Sequence, residues 1–321
     1  MKYLLDCDPG HDDTVMILFA LRTLDVVGLT TVAGNQAVEK VTANALHILE
    51  LAGRSDLPVG KGAARSLLNS TCFAPELHGE SGLGGFTFGE LRTSPKGSAL
   101  DLMRHALEGR DPITVVATGP LTNLALLLVD EPKLAMRIAK ISLMGGSTGL
   151  GNMTTHAEFN VFVDPEAADV VFGSGIPIDM YGLNATAQVP LRDDLVQALR
   201  YQCTRVSTPL CALLDFYLCA TAQHSGRREA NLHDLCAAVG LVRPDMFEFR
   251  SMYVRVELHG ELTRAMTVCD SRFGVTPQEA AETPSRLRPA TLGHGPNAQV
   301  AVRANGDSIN TLLLEVLGSY S

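Results

Sequence analysis

Short apolar runs alternate with amphipathic stretches along most of the chain, and few folds accommodate that alternation. A run that is apolar on both faces and too short for a helix reads as a buried strand. An amphipathic segment after each such strand supplies the crossover that joins parallel strands. Residues 3–7 open the series, and residues 26–32, 113–117, 140–144 and 177–182 read as further buried strands. The fourth of these starts on a charge but has the apolar core Ile141-Ser142-Leu143-Met144. The clearest helix is predicted over residues 36–52, where Val38, Val41, Ala45, Ile48, Leu49 and Ala52 recur at helical spacing and Gly53 supplies a stop. Late in the chain, residues 253–258 and 261–269 flank His259-Gly260 and read as an antiparallel hairpin appended to the parallel sheet. The expected class is therefore α/β, a Rossmann-like open and mostly parallel sheet flanked by helices, with a small antiparallel extension. No linker or repeat divides the sequence, so residues 1–321 are expected to form a single domain, with the Pro/Gly-rich stretch 277–296 a local excursion.

Charge narrows the partners. With 26 Lys+Arg against 35 Asp+Glu the formal charge is −9, and no basic block is present. Nucleic-acid binding, which needs a basic face to displace counterions, is not expected; a small ligand is. The first residues, Met1-Lys2-Tyr3-Leu4-Leu5-Asp6, lack the apolar core of a signal peptide, and the run Val15 to Leu21 is stopped by Arg22, far short of the roughly 20 residues a membrane helix needs. A cytoplasmic protein with no membrane partner is expected. The seven cysteines form no CxxC pair and are odd in number, which suits buried reduced thiols better than a zinc knuckle or a disulfide set.

The most informative segment follows the first strand: Asp6-Cys7-Asp8-Pro9-Gly10-His11-Asp12-Asp13. In an open α/β sheet, loops at the carboxyl ends of strands bind ligands, and so many carboxylates crowded there call for a hard divalent cation. Asp12 and Asp13 could instead serve only to cap the next helix. His233-Asp234 offers a further acid and a titratable imidazole, or merely another helix start. The stretch from Gly151 to Asn160 places Asn152, Glu158, Phe159 and Asn160 in a predicted loop; its amides and carboxylate suit a hydroxyl-rich ligand, Phe159 suits a ring face, and an Asx-rich turn is the plainer reading.

Taken in order, these segments resemble the inosine–uridine-preferring nucleoside N-ribohydrolases. Besides the N-terminal motif, the matching pieces are Ala33-Gly34-Asn35, His78 through Gly84, Ala117-Thr118-Gly119-Pro120-Leu121-Thr122-Asn123, Met144-Gly145-Gly146, Ala157-Glu158-Phe159-Asn160 and Leu232-His233-Asp234. The resemblance implies calcium (Ca2+) held by Asp8, Asp13, Asp234 and the backbone carbonyl of Thr118, an all-oxygen set. It implies that Asp8 acts as general base on a water held by that ion, cleaving the N-glycosidic bond of a ribonucleoside. Asp12 and Asn160 would hold the ribose 2′ and 3′ hydroxyls, Asn152 and Glu158 the 5′-hydroxyl, and Asn35 would orient the N-terminal carboxylates. His233 would serve as acid for the departing base and His78 would lie over that base, under a glycine-rich loop able to close. On this account only the Thr118 backbone matters. A homodimer or homotetramer is also implied.

Two departures stand out. Where many members carry Leu-Asp-Val-Thr-His at a strand end, this chain reads Leu183-Asn184-Ala185-Thr186-Ala187, losing an acid and a histidine. Around residues 216–224 only Tyr217 is present where pyrimidine-preferring relatives place two tyrosines, and with no Trp in the chain the tryptophan stacking of purine-specific relatives is absent, so base preference stays open. Competing readings are a non-catalytic nucleoside- or calcium-binding protein on the same fold, and an Asp-x-Asp phosphohydrolase built on Asp6 and Asp8, which would leave the Glu158–Asn160 cluster unexplained.

Overall fold

The computed structural model describes residues 1–68, 72–272 and 295–320. Among the described residues eleven strands are formed: β1 (Lys2–Cys7), β2 (Val26–Thr31), β3 (Val59–Lys61), β4 (Ile113–Ala117), β5 (Ile138–Met144), β6 (Ile178–Tyr181), β7 (Pro190–Leu191), β8 (Ala230–Asn231), β9 (Phe247–Val256), β10 (Thr267–Asp270) and β11 (Ala298–Ala304). Nine make one sheet in the order β10-β9-β11-β6-β5-β4-β1-β2-β3, and β7 pairs with β8 in a two-stranded sheet of its own. From β11 to β3 every pairing is parallel, while β9 runs antiparallel to both β11 and β10. The mostly parallel sheet with a small antiparallel part is the expected class. Central strands are buried on both faces, β4 at every residue, which is why they read as unbroken apolar runs.

The helix predicted over 36–52 runs Val38–Ala52 and buries Val38, Val41, Ala45, Leu46, Ile48 and Leu49. It stops where foreseen: Gly53 takes φ +71, a left-handed conformation that a side chain would strain, and its N–H reaches back to the Glu50 and Leu49 carbonyls. Its start is two residues late, because Ala37 adopts ψ 145 and serves as the N-cap.

Other expectations need correction. The hairpin about His259-Gly260 is not a tight one: Thr267 pairs with Val256, so ten residues separate the strands. Glu257 causes this by turning its carboxylate back onto the amides of His259 and Gly260, at 2.7 and 3.0 Å, while Arg264 is drawn to Glu166 at 2.6 Å. Residues 183–187 do not end a strand, since Leu183–Thr186 forms a single helical turn after β6. All seven cysteines are free thiols, as expected, but only Cys7, Cys211 and Cys236 are buried; Cys203 and Cys219 are exposed. Most of the 277–296 stretch lies outside the described residues. Among the described residues no helix is long and apolar enough to cross a membrane.

Candidate active site

Strand order locates the site. From β1 the chain moves outward through β2 and β3, then returns to lay β4 on the other side of β1. The order therefore reverses between β1 and β4, and there the loops at the carboxyl ends diverge to leave a crevice. The two loops emerging at that point carry Asp8 and Thr118. They are tied by the Thr118 N–H, which donates to the Asp6 carbonyl at 2.9 Å.

The carboxylates are held from several sides. Asp8 Oδ2 accepts the Asn35 backbone N–H at 2.6 Å, and Asn35 Nδ2 donates to the Asp8 carbonyl at 3.0 Å and to Asp13 Oδ2 at 3.2 Å. Asn35 thus orients the acidic loop. Asp13 Oδ2 also accepts the Gly10 N–H at 3.0 Å, so the capping role is real for Asp13 and coexists with its place in the cluster. Asp13 Oδ1 accepts the Thr118 hydroxyl at 2.9 Å. The Thr118 side chain is therefore part of the site, which corrects the expectation that only its backbone counts. Two glycines give Asp8 its room: a Cβ on Gly34 would sit 2.1 Å from Asp8 Oδ2, and one on Gly119 would sit 2.8 Å from Oδ1.

Asp12, Asp13 and Asp234 each offer an oxygen within 4.8 Å of the others, and all three are buried. Asp8, 1% exposed, borders them, and among the described residues its buried Oδ1 has no hydrogen-bond partner. Burial, then the charge of Asp13, pushes the Asp8 carboxyl well above the usual range. Burial and then Asp13 raise Asp12 to about 7, and burial raises Asp13 to about 6 against the hydrogen bonds from Gly10 and Thr118. Asp234 is pushed well up by burial and by Asp12, Asp13 and Asp8. Four buried acids gathered in one place, one of them with a partnerless oxygen, suit a hard cation with oxygen ligands. Asp12 joins this cluster geometrically, although the resemblance assigned it to the sugar.

Around the cluster lie the hydroxyl-binding candidates. Asn160 Nδ2 donates to the Thr118 carbonyl at 2.9 Å and to the Met144 carbonyl at 3.2 Å, which leaves its Oδ1 as an acceptor. Glu158 caps the Phe159–Val163 turn: Oε1 accepts the Asn160 N–H at 2.9 Å, and Oε2 accepts those of Gly146 at 2.9 Å and Val161 at 3.1 Å. The turn reading and the ligand reading are thus compatible, because a carboxylate oxygen has two lone pairs. Asn152 is exposed and Phe159 half-buried; both line a cavity of ≈510 Å³ together with Asp12, Asn35, His78, Asn160, Tyr217, His233 and Asp234. That volume is in the range of small-molecule sites.

One wall is aromatic. Tyr217 stacks on His11, with centroids 5.3 Å apart, and on His78 at 5.7 Å; Phe216 covers His11 at 5.5 Å. His11, fully buried, contacts the His78 Nδ1 through its own Nδ1 at 3.1 Å and donates from Nε2 to the Gly84 carbonyl at 2.9 Å. Burial lowers the His11 and His233 imidazoles to about 4. The glycine-rich loop, expected to be free to close, is pinned: Gln36 donates to the Gly79 carbonyl at 2.9 Å and Asn44 to the Ser81 carbonyl at 3.0 Å. Across the cavity, His233 Nδ1 lies 2.7 Å from the Thr186 hydroxyl. Of the departing segment, Asn184 serves the fold, with Nδ2 donating to the Ala301 carbonyl at 2.9 Å and Oδ1 accepting the Thr148 N–H at 3.1 Å.

Sequence reasoning missed His11 and Thr186 as site residues. His11 sits inside the strongest motif, yet nothing local says that its ring packs under a histidine 67 positions away. In the sequence Thr186 stands out only as part of the variant segment 183–187.

Comparison with known proteins accords with this geometry. A family model described as inosine-uridine preferring nucleoside hydrolase matches residues 3–311. The chain is 41% identical over 326 residues to the pyrimidine-specific ribonucleoside hydrolase RihA of Citrobacter koseri, covering 100% of this chain and 99% of that protein. It is equally 41% identical over 329 residues to RihA of Escherichia coli, with the same coverage. Among solved structures, a plant nucleoside hydrolase superposes with TM-score 0.88 at 32% identity, covering 99% of each chain. A purine-preferring ribonucleoside hydrolase from Gardnerella vaginalis also superposes with TM-score 0.88, at 28% identity, covering 100% of this chain and 99% of that one.

Proposed function

The chain belongs to the inosine-uridine preferring nucleoside hydrolase family and is a ribonucleoside hydrolase, and from that premise we propose that it uses calcium, with Asp8 as general base, to cleave pyrimidine ribonucleosides into ribose and free base. The observation that carries this is the buried carboxylate cluster at the β1/β4 reversal, with Asp8 Oδ1 left partnerless beside it. The pyrimidine preference rests on the full-length likeness to the two RihA proteins and on the absence of tryptophan.

Asp8, Asp13, Asp234 and the Thr118 carbonyl would hold the ion; that carbonyl accepts one hydrogen bond from Asn160 and has a second lone pair free. A bound divalent ion would offset the clustered negative charge, lower the pKa of the attacking water and grip the ribose hydroxyls. Asp8, fixed by Asn35 and by the tight approach of Gly34, takes the proton from that water. Asp12 and Asn160 Oδ1 accept from the 2′ and 3′ hydroxyls, and Glu158 and Asn152 meet the 5′-hydroxyl. Phe159 and His78 both line the cavity; on this reading Phe159 would face the sugar and His78 the base. As the bond breaks, the sugar gains oxocarbenium character, and the surrounding carboxylates stabilise that positive charge. His233 meets the departing base. Assembly as a homodimer or homotetramer and a cytoplasmic location complete the proposal and rest on family resemblance alone.

The test is release of reducing sugar from uridine, cytidine, inosine, adenosine and guanosine, with calcium and after chelation. Calcium-dependent release, greatest on the pyrimidine nucleosides and lowered about 10²–10⁴-fold in Asp8→Asn, is expected. Silence on every nucleoside from folded, calcium-loaded protein would mean a ribose site that binds without catalysis.

A further inference from the structure

We propose that Thr186 is a positioning residue that keeps the His233 ring proton on Nε2, so that His233 presents a hydrogen-bond donor to the carbonyl oxygen beside the glycosidic nitrogen of a pyrimidine base. This deepens the ribonucleoside reading above and rests on it.

Thr186 is 0% exposed, and among the described residues its hydroxyl has one partner, His233 Nδ1 at 2.7 Å. The hydroxyl carries a single proton. Were Nδ1 protonated and donating to Oγ1, the hydroxyl proton would be buried with no acceptor, an arrangement that native structures avoid. With Thr186 donating, both atoms are satisfied and Nδ1 is the bare nitrogen. The ring proton then sits on Nε2, the nitrogen that Thr186 does not engage, on a side chain that lines the cavity.

The backbone around the pair is braced. Three residues after Thr186, the Val189 N–H donates to the Thr186 carbonyl at 3.0 Å, and the Val189 carbonyl accepts the N–H of Leu232, the residue before His233, at 3.0 Å. The β7–β8 pairing, Pro190 opposite Asn231 and Leu191 opposite Ala230, continues that seam. The two-stranded sheet therefore fixes the hydroxyl against the ring. Thr186 belongs to the segment in which this chain loses an acid and a histidine, and it is the member of that segment that touches the site.

A neutral imidazole N–H donates a hydrogen bond rather than a proton. The base carbonyl gains negative charge as the glycosidic bond breaks, so a fixed donor there is worth more in the transition state than in the ground state. Uracil and cytosine share this carbonyl, so the contact selects the pyrimidine class and does not separate the two.

The test uses full-length, calcium-loaded protein with ¹⁵N-labelled histidine, the His233 signals being identified by their loss in His233→Gln. In the wild type, His233 is expected to show a protonated Nε2 and a bare Nδ1. Thr186→Ser should keep that pattern and stay within about threefold of wild-type kcat on uridine, whereas Thr186→Val should lose the pattern and lower kcat by about tenfold with a smaller change in KM. On 2-thiouridine, whose sulfur accepts poorly, the Thr186→Val deficit should shrink. A protonated Nδ1 in the wild type overturns the inference without any variant, which covers the case in which Thr186→Val does not fold. Unchanged kinetics in a folded Thr186→Val overturns it too. If the wild type hydrolyses no nucleoside, the proposed function fails instead, while the spectrum still reports the tautomer.

Discussion

At the scale of single residues, the site works through side chains that hold other side chains. Asp8 is the sharpest case, with one oxygen fixed by Asn35 and the other buried without a partner. Asp8→Asn keeps the shape and removes the base. Turnover should fall by about 10²–10⁴-fold with the circular dichroism spectrum unchanged, and retained turnover would assign the base elsewhere. Thr118 offers a quieter test. Its hydroxyl donates to Asp13 Oδ1, so Thr118→Val leaves Asp13 short of one orienting bond while keeping the backbone carbonyl in place. Calcium half-saturation should rise by about 10–100-fold, with Thr118→Ser near wild type, as read from calcium titration of activity.

At the scale of elements, the sheet can present these residues only if the helices pack closely on it. The Leu235–Val242 helix, which begins directly after Asp234, lies against β5 and β6. Gly240 makes that approach possible, for a Cβ there would fall 1.7 Å from the Tyr181 hydroxyl oxygen. Gly240→Ala forces Tyr181 or the helix to shift, and overpacking of this kind costs about 1–3 kcal/mol. Urea unfolding should show that loss, and because the helix starts at Asp234 the apparent calcium affinity should fall with it. Elements also explain which sequence readings succeeded. The helix over 38–52 and the central strands were legible because their apolar spacing alone dictates which face is buried. The late hairpin departs from its sequence pattern because the Glu257 carboxylate folds back onto the amides of His259 and Gly260 while Arg264 reaches Glu166, 98 positions away, and side-chain bonds of this kind leave no periodic trace.

At the scale of the whole molecule, calcium should act as a stability ligand with a definite pH dependence. Without metal, the Asp12 and Asp13 carboxyls are held at about 7 and about 6, above their unfolded values near 4. A raised folded value means that the native state binds the proton more tightly. The stabilisation from these groups is then complete below about pH 4 and is lost as pH climbs through 6 to 7. The buried His11 and His233, lowered to about 4, act in the opposite sense between pH 4 and 6.5, so the clean comparison is with and without calcium at each pH. The rise in Tm on adding calcium should be larger at pH 7.5 than at pH 5, because the ion displaces protons from its ligands. Scanning calorimetry with equal rises at both values would mean that the ion does not bind at Asp13 and its acidic neighbours.

The sequence by itself determined the class of fold and the identity of the acidic motif, since hydrophobic spacing and the crowding of Asp8, Asp12 and Asp13 are local properties of the chain. Only the tertiary structure decided the partners. The β1/β4 reversal brings Thr118 to the acidic loop, and Asp234 joins the cluster from far along the chain. Asn35 became an anchor for two carboxylates, and Thr118 acquired a side-chain role in addition to its backbone one. His11 turned out to pair with His78, and Thr186 with His233. The reason is that a hydrogen bond depends on separation in space, on the order of 3 Å between heavy atoms, while sequence spacing registers only neighbours within a turn or along a strand.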